Sequence, residues 1–204
     1  MARIVFYFDL GSPYAYLTAE RLPEALPEPV RWQTVLLGGL FGLSGRSSWA
    51  LGDDHRRRAG IAEIERRARS YGLPPVKWPD PWPGDYLTAM RAATFAFRVG
   101  RGREFTLAAF REAFQRGRDL GSAAGLAGAA RAAGLDPGTV RLAGNDADVK
   151  HALRRATEEA YARGVFGVPT IAIDDELFWG DDRLEDAAAH LRAIAPHNDD
   201  VRAG

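Results

Sequence analysis

The sequence predicts an α/β protein in which a β-α-β unit and a β-β-α unit are separated by a long helical insertion. Three observations predict this order. Residues 3–8 and 30–37 are rich in β-branched and aromatic side chains and flank a helical pattern. Residues 61–163 carry mostly helical patterns. Strand patterns return only at residues 170–173 and 176–179, and a last helical pattern follows them.

The first strand and the first helix meet at a serine-proline pair. The strand pattern ends in a turn at Gly11, and Ser12-Pro13 comes next. Serine is a favoured N-cap, and proline suits the first helical position because its missing N–H needs no partner there. We therefore predict a helix from Pro13 to about Ala25, ended by the prolines that follow it.

The middle of the chain is predicted to be helical after a glycine-rich stretch. Glycine, serine and arginine dominate residues 38–52, where we predict no helix. Gly134 and the segment Asp136-Pro137-Gly138 are predicted to break the helical pattern. The predicted helices are one that ends at Tyr71 and four over residues 86–99, 104–116, 123–133 and 146–163.

The last strands are predicted to form a hairpin. A tight turn at Asp174-Asp175 joins them, and a helix is predicted from about Arg183 to Ala195. The polar tail from Pro196 is expected to fray.

Removal of the insertion leaves the order β-α-β-β-α, which is the core of a thioredoxin fold. We therefore predict a discontinuous thioredoxin-like domain of residues 1–40 and 164–204. Residues 41–163 are predicted to form an all-helical insertion domain.

Composition excludes several classes of function. The chain of 204 residues has 27 basic and 27 acidic side chains and no cysteine. A net charge of zero gives no electrostatic basis for binding nucleic acid. Without cysteine there are no disulfides, zinc-thiolate sites or cysteine nucleophiles, so any thiol chemistry must use a borrowed thiol. The four histidines share no ligand spacing, so no metal is expected.

Apolar segments are too short for a signal peptide or a membrane span. The nearest approach to a span, residues 35–43, contains three glycines. We therefore expect a cytoplasmic protein with no membrane partner.

Three segments could form a site. Ser12 puts a hydroxyl at the positive end of the first helix, where an anion is favoured, although it could be an N-cap alone. A cis bond before Pro169 would aim the Val168 backbone toward this helix start, although a trans proline that begins a strand is commoner. Asp181 and Asp182 open the last helix and could either cap it or bind a cationic group.

Four ordered motifs carry a resemblance to a known family. They are Phe-Asp-x-x-Ser-Pro-Tyr-Ala-Tyr, Leu-Gly-Gly-x-Phe, Gly-Val-Phe-Gly-Val-Pro-Thr and Phe-Trp-Gly-x-Asp-Arg-Leu. Over nearly its whole length the chain resembles 2-hydroxychromene-2-carboxylate isomerases and the related kappa-class glutathione transferases. The resemblance implies a DsbA-like thioredoxin fold, glutathione held between the two domains, and a homodimer.

The resemblance also implies roles for individual residues. Ser12 would hydrogen-bond the sulfur of glutathione, or of another low-molecular-weight thiol, and favour its thiolate. Pro13 and Tyr14 would flank the sulfur. The Val168 backbone, beside Pro169, would pair with the cysteinyl unit. The γ-glutamyl group would be received by Asp181 and Asp182.

Four positions depart from the family pattern. Gly42 stands where the isomerases have a lysine expected to face an acidic substrate, and Arg46 stands where they have an asparagine expected near the cofactor. A lysine typical of the helical domain falls at Arg56. Asp85 replaces a neutral amide by a carboxylate. Weak activity on the standard substrate is therefore predicted.

Three functions are compatible with these residues. The first is a glutathione-dependent isomerase that adds the thiol reversibly to a conjugated aromatic 2-oxo acid. The second is a kappa-class-like transferase that conjugates the thiol to electrophiles. The third is a non-catalytic thioredoxin-like binding protein. The partners expected are a small thiol and a small aromatic acid or electrophile. A disulfide oxidoreductase is excluded, because the redox pair is absent.

Overall fold

A four-stranded mixed sheet forms the centre of the thioredoxin-like part of the protein. The computed structural model describes residues 2–27 and 29–194. The sheet order is β2-β1-β3-β4, with β1 parallel to β2 and the other neighbours antiparallel. The strands are β1 (Ile4–Phe8), β2 (Val30–Thr34), β3 (Thr170–Ile173) and β4 (Glu176–Trp179).

Strand β1 is buried along its whole length because it lies between two other strands and is covered on both faces. Its apolar and aromatic residues need no alternation with polar ones for that reason. Phe6 and Phe8 pack on the edge of the Trp32 ring, with ring centroids 5.0 and 5.9 Å away. The carboxyl end of β1 leads directly to Asp9 and Ser12.

The helices surround the sheet and build the long middle segment. Two short 3-10 turns, Trp49–Leu51 and Asp181–Arg183, precede α3 and α9. The helices are α1 (Pro13–Ala25), α2 (Leu37–Ser44), α3 (Asp54–Ser70), α4 (Leu87–Arg98), α5 (Gly102–Phe114), α6 (Ala123–Ala132), α7 (Pro137–Ala143), α8 (Ala147–Ala162) and α9 (Leu184–Ile194).

The predicted fold class is confirmed. The order β-α-β, a helical segment and β-β-α is present, and β3 and β4 have the predicted bounds. Helix α1 begins at Pro13 after the Ser12 cap, as predicted. The long helices begin or end within about two residues of their predicted bounds, as expected for terminal turns.

Two predictions about the secondary structure are wrong. The second strand ends at Thr34 rather than Leu37, and residues 37–44 form helix α2 instead of a loop. Glycine lowers helix propensity, but the Asp9 carboxylate accepts the Leu37 N–H at the start of α2, and α2 packs on α8. The predicted break at Gly134 is present, since α6 ends at Ala132, but the sequence prediction missed helix α7, which begins at Pro137 because Asp136 accepts the N–H of Thr139 as an N-cap.

The predicted domain boundaries stay a prediction, and helix α2 crosses the one at residues 40 and 41. The predicted end of the last helix at Ala195 and the tail from Pro196 lie outside the described residues. In the described part of the chain no helix combines the length and apolar character needed to cross a membrane.

Candidate active site

A cavity of about 430 Å³ lies where β1 ends and α1 begins. Four further segments complete its wall: the start of α2, the turn before α3, the proline-rich link before α4, and the loop before β3 together with Trp179. The cavity therefore lies between the thioredoxin-like core and the helical segment, as the resemblance implies for a thiol site.

Ser12 is both a helix cap and part of the cavity wall. It is only 4% exposed, and its Oγ accepts the N–H of Ala15 at 3.2 Å. This hydrogen bond uses a lone pair of the hydroxyl oxygen and leaves the hydroxyl proton to be donated to another group. Its neighbour within reach is the carbonyl oxygen of Val168, 3.5 Å away and at the outer limit of a hydrogen bond.

Val168 brings a distant part of the chain to the start of α1. The Val168–Pro169 peptide bond is cis, so the cis alternative of the sequence prediction is confirmed. Val168 is buried and lines the cavity. Ser12, Pro13, Tyr14 and Val168 are thus four predicted site residues that the structure brings together at one cavity.

Asp9 is a cavity residue that the sequence prediction missed. It is 4% exposed, and its two carboxylate oxygens accept the N–H groups of Gly11 and Leu37, both at 2.7 Å. Burial raises the pKa of Asp9 to about 6, and the N–H donors of Leu37 and Gly11 limit that rise. An aspartate directly after a fully buried strand and three residues before Ser12 was the available signal.

Aromatic rings form much of the wall. The ring centroids of Tyr14 and Trp49 are 6.2 Å apart, and those of Trp49 and Trp82 are 5.4 Å apart. All three residues line the cavity, whereas Trp78 packs behind Trp82 at 4.5 Å. A wall of flat rings suits a flat aromatic ligand, because offset and edge contacts between rings add to the apolar burial.

The Tyr86 ring lines the cavity and packs against the backbone of Gly11. A Cβ atom on Gly11 would lie 2.7 Å from Cδ2 of Tyr86, so only glycine allows the ring this position. The Tyr86 hydroxyl and Nε1 of Trp82 are buried and have no hydrogen-bond partner among the described residues. Burial, with the negative charges of Asp9 and Asp119, raises the pKa of Tyr86.

The two carboxylates at the last helix occupy different environments. Asp181 is 1% exposed, and its oxygens accept hydrogen bonds from Arg67 Nη1 at 2.8 Å and from the Tyr71 hydroxyl at 2.9 Å. Burial raises the pKa of Asp181, and the Arg67 guanidinium opposes that shift. The Asp182 side chain is 58% exposed and lies 3.6 Å from Arg67.

The structure therefore does not leave Asp181 free to receive a ligand. Both of its oxygens are engaged, and it joins helix α3 to the start of α9 instead. The sequence could not show this, because Arg67 and Tyr71 are more than a hundred residues away along the chain. Arg67 also lies 5.6 Å from the centroid of the Tyr14 ring, so the ion-pair cluster of Arg67, Asp181 and Asp182 adjoins a residue of the cavity wall.

Two other predicted residues do not reach the cavity. Helix α2 turns Leu37, Gly38 and Phe41 toward the cavity and turns Gly42 toward a second cavity beside α8. Gly42 is therefore not among the residues that line the cavity beside Ser12, and its predicted part in substrate binding stays a prediction. Arg56 is exposed on α3 and does not line the cavity.

Asp85 and Arg46 lie at or near the cavity. Asp85 lines it, and its Oδ1 accepts the N–H of Leu87 at 2.9 Å. The Arg46 guanidinium stacks over the ring of Phe166 at 4.1 Å and lies 6.0 Å from the ring of Trp179, which lines the cavity. Arg46 is therefore beside the cavity but not in its wall.

Residues 3–192 match the DSBA-like thioredoxin domain family. The chain belongs to this family. It is also similar to two curated proteins, both 2-hydroxychromene-2-carboxylate isomerases. The protein from Sphingobium xenophagum is 28% identical over 199 residues, which cover 92% of this chain and 97% of the relative. The protein from Pseudomonas putida is 28% identical over 211 residues, with coverage of 96% and 97%.

Solved structures share the fold of this DSBA-like protein. A 2-hydroxychromene-2-carboxylate isomerase superposes with a TM-score of 0.81 at 20% identity, covering 98% of this chain and 99% of that one. A probable DsbA oxidoreductase from Streptomyces coelicolor has a TM-score of 0.75 at 20% identity, covering 95% and 91%. The resemblance predicted from the motifs is confirmed, and with it an enzyme of the isomerase type.

Proposed function

We propose that the protein is a thiol-dependent isomerase that acts on conjugated aromatic compounds by reversible thiol addition, with glutathione or another low-molecular-weight thiol as its cofactor. One observation carries the proposal. The buried Ser12 hydroxyl lies at the start of α1 in the wall of an aromatic cavity, in a chain that has no cysteine of its own. The names of the two curated relatives support the same reaction type.

The residues around Ser12 fit the sulfur of a small thiol. The hydroxyl has a proton to donate, and the dipole of the α1 N-terminus favours a negative charge at the same place. Both effects lower the pKa of a thiol held there. When bound, the thiolate supplies a nucleophile that adds to a conjugated double bond and leaves after rotation about that bond.

The remaining cavity residues orient the reactants. Tyr14, Trp49 and Trp82 offer ring faces and edges to an aromatic substrate and exclude water from it. We assign the amino group of a γ-glutamyl unit to Asp182 rather than to Asp181, because the Asp182 side chain is 58% exposed whereas both oxygens of Asp181 are engaged. Val168 offers its backbone to the cysteinyl unit next to Ser12.

A pair of serine caps provides the test. Ser12 and Ser122 accept the same kind of N-cap bond at 3.2 Å, but Ser122 begins α6 and does not line the cavity. Each change to alanine is expected to lower the free energy of unfolding by about 1 kcal/mol. Only Ser12→Ala should raise the pKa of bound glutathione, followed through the ultraviolet absorbance of its thiolate, and shift the pH-rate profile.

Two results would contradict the proposal. The first is an equal pKa of the bound thiol in wild type, Ser12→Ala and Ser122→Ala, which would leave Ser12 as a cap alone. The second is stoichiometric loss of thiol during turnover, which would identify a kappa-class-like transferase. An isomerase returns all of its thiol.

A further inference from the structure

The wall of the candidate cavity carries no positive charge. Of the described residues that line it, none is arginine, lysine or histidine. Its ionisable acids are Asp9 and Asp85. The other lining side chains are apolar or aromatic, apart from Ser12, Ser48 and the phenols of Tyr14 and Tyr86.

Three arginines that contact residues of the wall or lie beside them have other partners. Arg57 donates a hydrogen bond to the carbonyl oxygen of Trp82. Arg67 is held by Glu63 and Asp181, and Arg46 stacks over Phe166. The basic side chains of the second cavity include Arg91 and Lys150, which do not line the candidate cavity, although the two cavities share Leu36 and Leu87.

A substrate carboxylate would be poorly accommodated in this cavity. An anion removed from water needs an opposite charge or several hydrogen bonds. The described wall offers no cation, and the thiolate would already use the Ser12 hydroxyl and the N-terminus of α1, which leaves the indole and phenol groups of the wall as donors. The thiolate at Ser12 would already place one negative charge in the cavity, and Asp85 places another at its edge. Like charges in a partly dehydrated space repel strongly.

We infer that the cavity selects an uncharged aromatic enone or enal rather than an aromatic 2-oxo acid. The inference rests on the proposed function and narrows its substrate class. It follows from the absence of a cation in the described wall, the two lining carboxylates and the adjacent, tilted rings of Trp49 and Trp82. The carboxylate named in the relatives' substrate is the group that this chain is not built to hold.

A matched pair of ligands tests the charge preference. The uncharged ketone ortho-hydroxybenzylideneacetone and the anion ortho-hydroxybenzylidenepyruvate differ in the methyl or carboxylate group on one carbonyl. Calorimetric titration into the full-length protein, with no thiol present, should show at least about tenfold tighter binding of the ketone. Equal or tighter binding of the anion, or no binding of either ligand, would overturn the inference.

Two glycines of α2 allow the cause to be tested directly. No heavy atom lies within 4 Å of a Cβ placed on Gly38 or on Gly42, but only Gly38 faces the cavity. Gly38→Lys should move the ratio of the two dissociation constants toward the anion by about fivefold or more relative to Gly38→Met. Gly42→Lys should leave the ratio unchanged. An equal effect at both positions would also overturn the inference.

Turnover separates this inference from the function on which it rests. Thiol-dependent isomerisation of the ketone, faster than that of the anion after division by each uncatalysed rate, supports both. Thiol-dependent turnover that favours the anion overturns the charge preference and keeps the isomerase. Selective binding of the ketone without thiol-dependent turnover keeps the charge preference and overturns the isomerase.

Discussion

A Cβ atom on Gly60 would lie 2.1 Å from Cζ3 of Trp49, so the indole ring rests on the bare backbone of helix α3. Trp49 in turn packs against Tyr14 and Trp82 in the wall of the candidate cavity. The position of this aromatic wall therefore depends on one glycine in the middle of a helix, where alanine would otherwise be preferred.

Gly60→Ala is expected to destabilise the protein despite its higher helix propensity. The added methyl group must displace the Trp49 ring, and overpacking of this kind costs about 1–3 kcal/mol. Urea unfolding would measure the loss, and tryptophan fluorescence would report the movement of the ring.

Gly42→Ala in α2 is the control, because its Cβ meets open space. It should gain about 0.5–1 kcal/mol. Equal effects of the two changes would show that Trp49 does not constrain position 60.

Asp9 is expected to make the wild-type protein less stable as pH rises through the mildly acidic range. Burial raises the pKa of Asp9 from 3.8 to about 6, so between these values the unfolded chain loses a proton that the folded chain keeps. The free energy of unfolding then falls by ~3 kcal/mol and stays lower above about pH 6. Urea unfolding at several pH values would measure this: over the same pH range, the free energy of unfolding of wild type should fall by ~3 kcal/mol relative to that of Asp9→Asn.

Asp136 is expected to change stability with pH in the opposite direction and serves as the control for Asp9. The N–H of Thr139 lowers the pKa of this exposed N-cap residue. Wild type should therefore gain stability relative to Asp136→Asn as pH rises from below the lowered pKa to above 3.8. A difference between wild type and Asp9→Asn that does not vary with pH would show that Asp9 has an ordinary pKa.

Tyr86 and Tyr71 are expected to respond oppositely to loss of the hydroxyl. The Tyr86 hydroxyl is buried without a partner, so Tyr86→Phe should keep or raise stability by about 1 kcal/mol. The Tyr71 hydroxyl donates to the carboxylate of Asp181, so Tyr71→Phe should cost about 1.5–3 kcal/mol. Urea unfolding measures both. Loss of stability in Tyr86→Phe would mean that its hydroxyl is satisfied in solution.

Asp181 and Asp182 are expected to separate stability from ligand binding. Asp181→Asn weakens the bonds to Arg67 and Tyr71 and should cost about 2 kcal/mol. Asp182→Asn removes only an exposed pair with Arg67 and should change stability by less than about 0.5 kcal/mol.

Calorimetry should show several-fold weaker glutathione binding to Asp182→Asn. N-acetylglutathione, which lacks the amine charge, should bind equally to wild type and Asp182→Asn. A loss of affinity for both ligands would contradict the assigned role of Asp182.

Local patterns determined the order of the elements and one half of the site. The buried strand before Asp9, the Ser12 cap with Pro13 behind it, and the short strands 170–173 and 176–179 are encoded within a few residues each, so propensity and spacing sufficed for them. The four sequence motifs additionally identified the resemblance to a known family. Helix α2 was missed because its glycines oppose helix formation locally, while the Asp9 carboxylate and the packing on α8 that stabilise it come from elsewhere in the chain.

Only the tertiary structure decided what each polar residue of the site can do. The sequence could not show that Arg67 and Tyr71 engage Asp181 while Asp182 stays exposed, or that α2 turns Gly38 to the cavity and Gly42 away from it. Burial, pairing and the side of a helix that faces a cavity depend on contacts between residues far apart along the chain. The net charge of the cavity wall depends on which charged residues line it, and therefore on how the segments pack together.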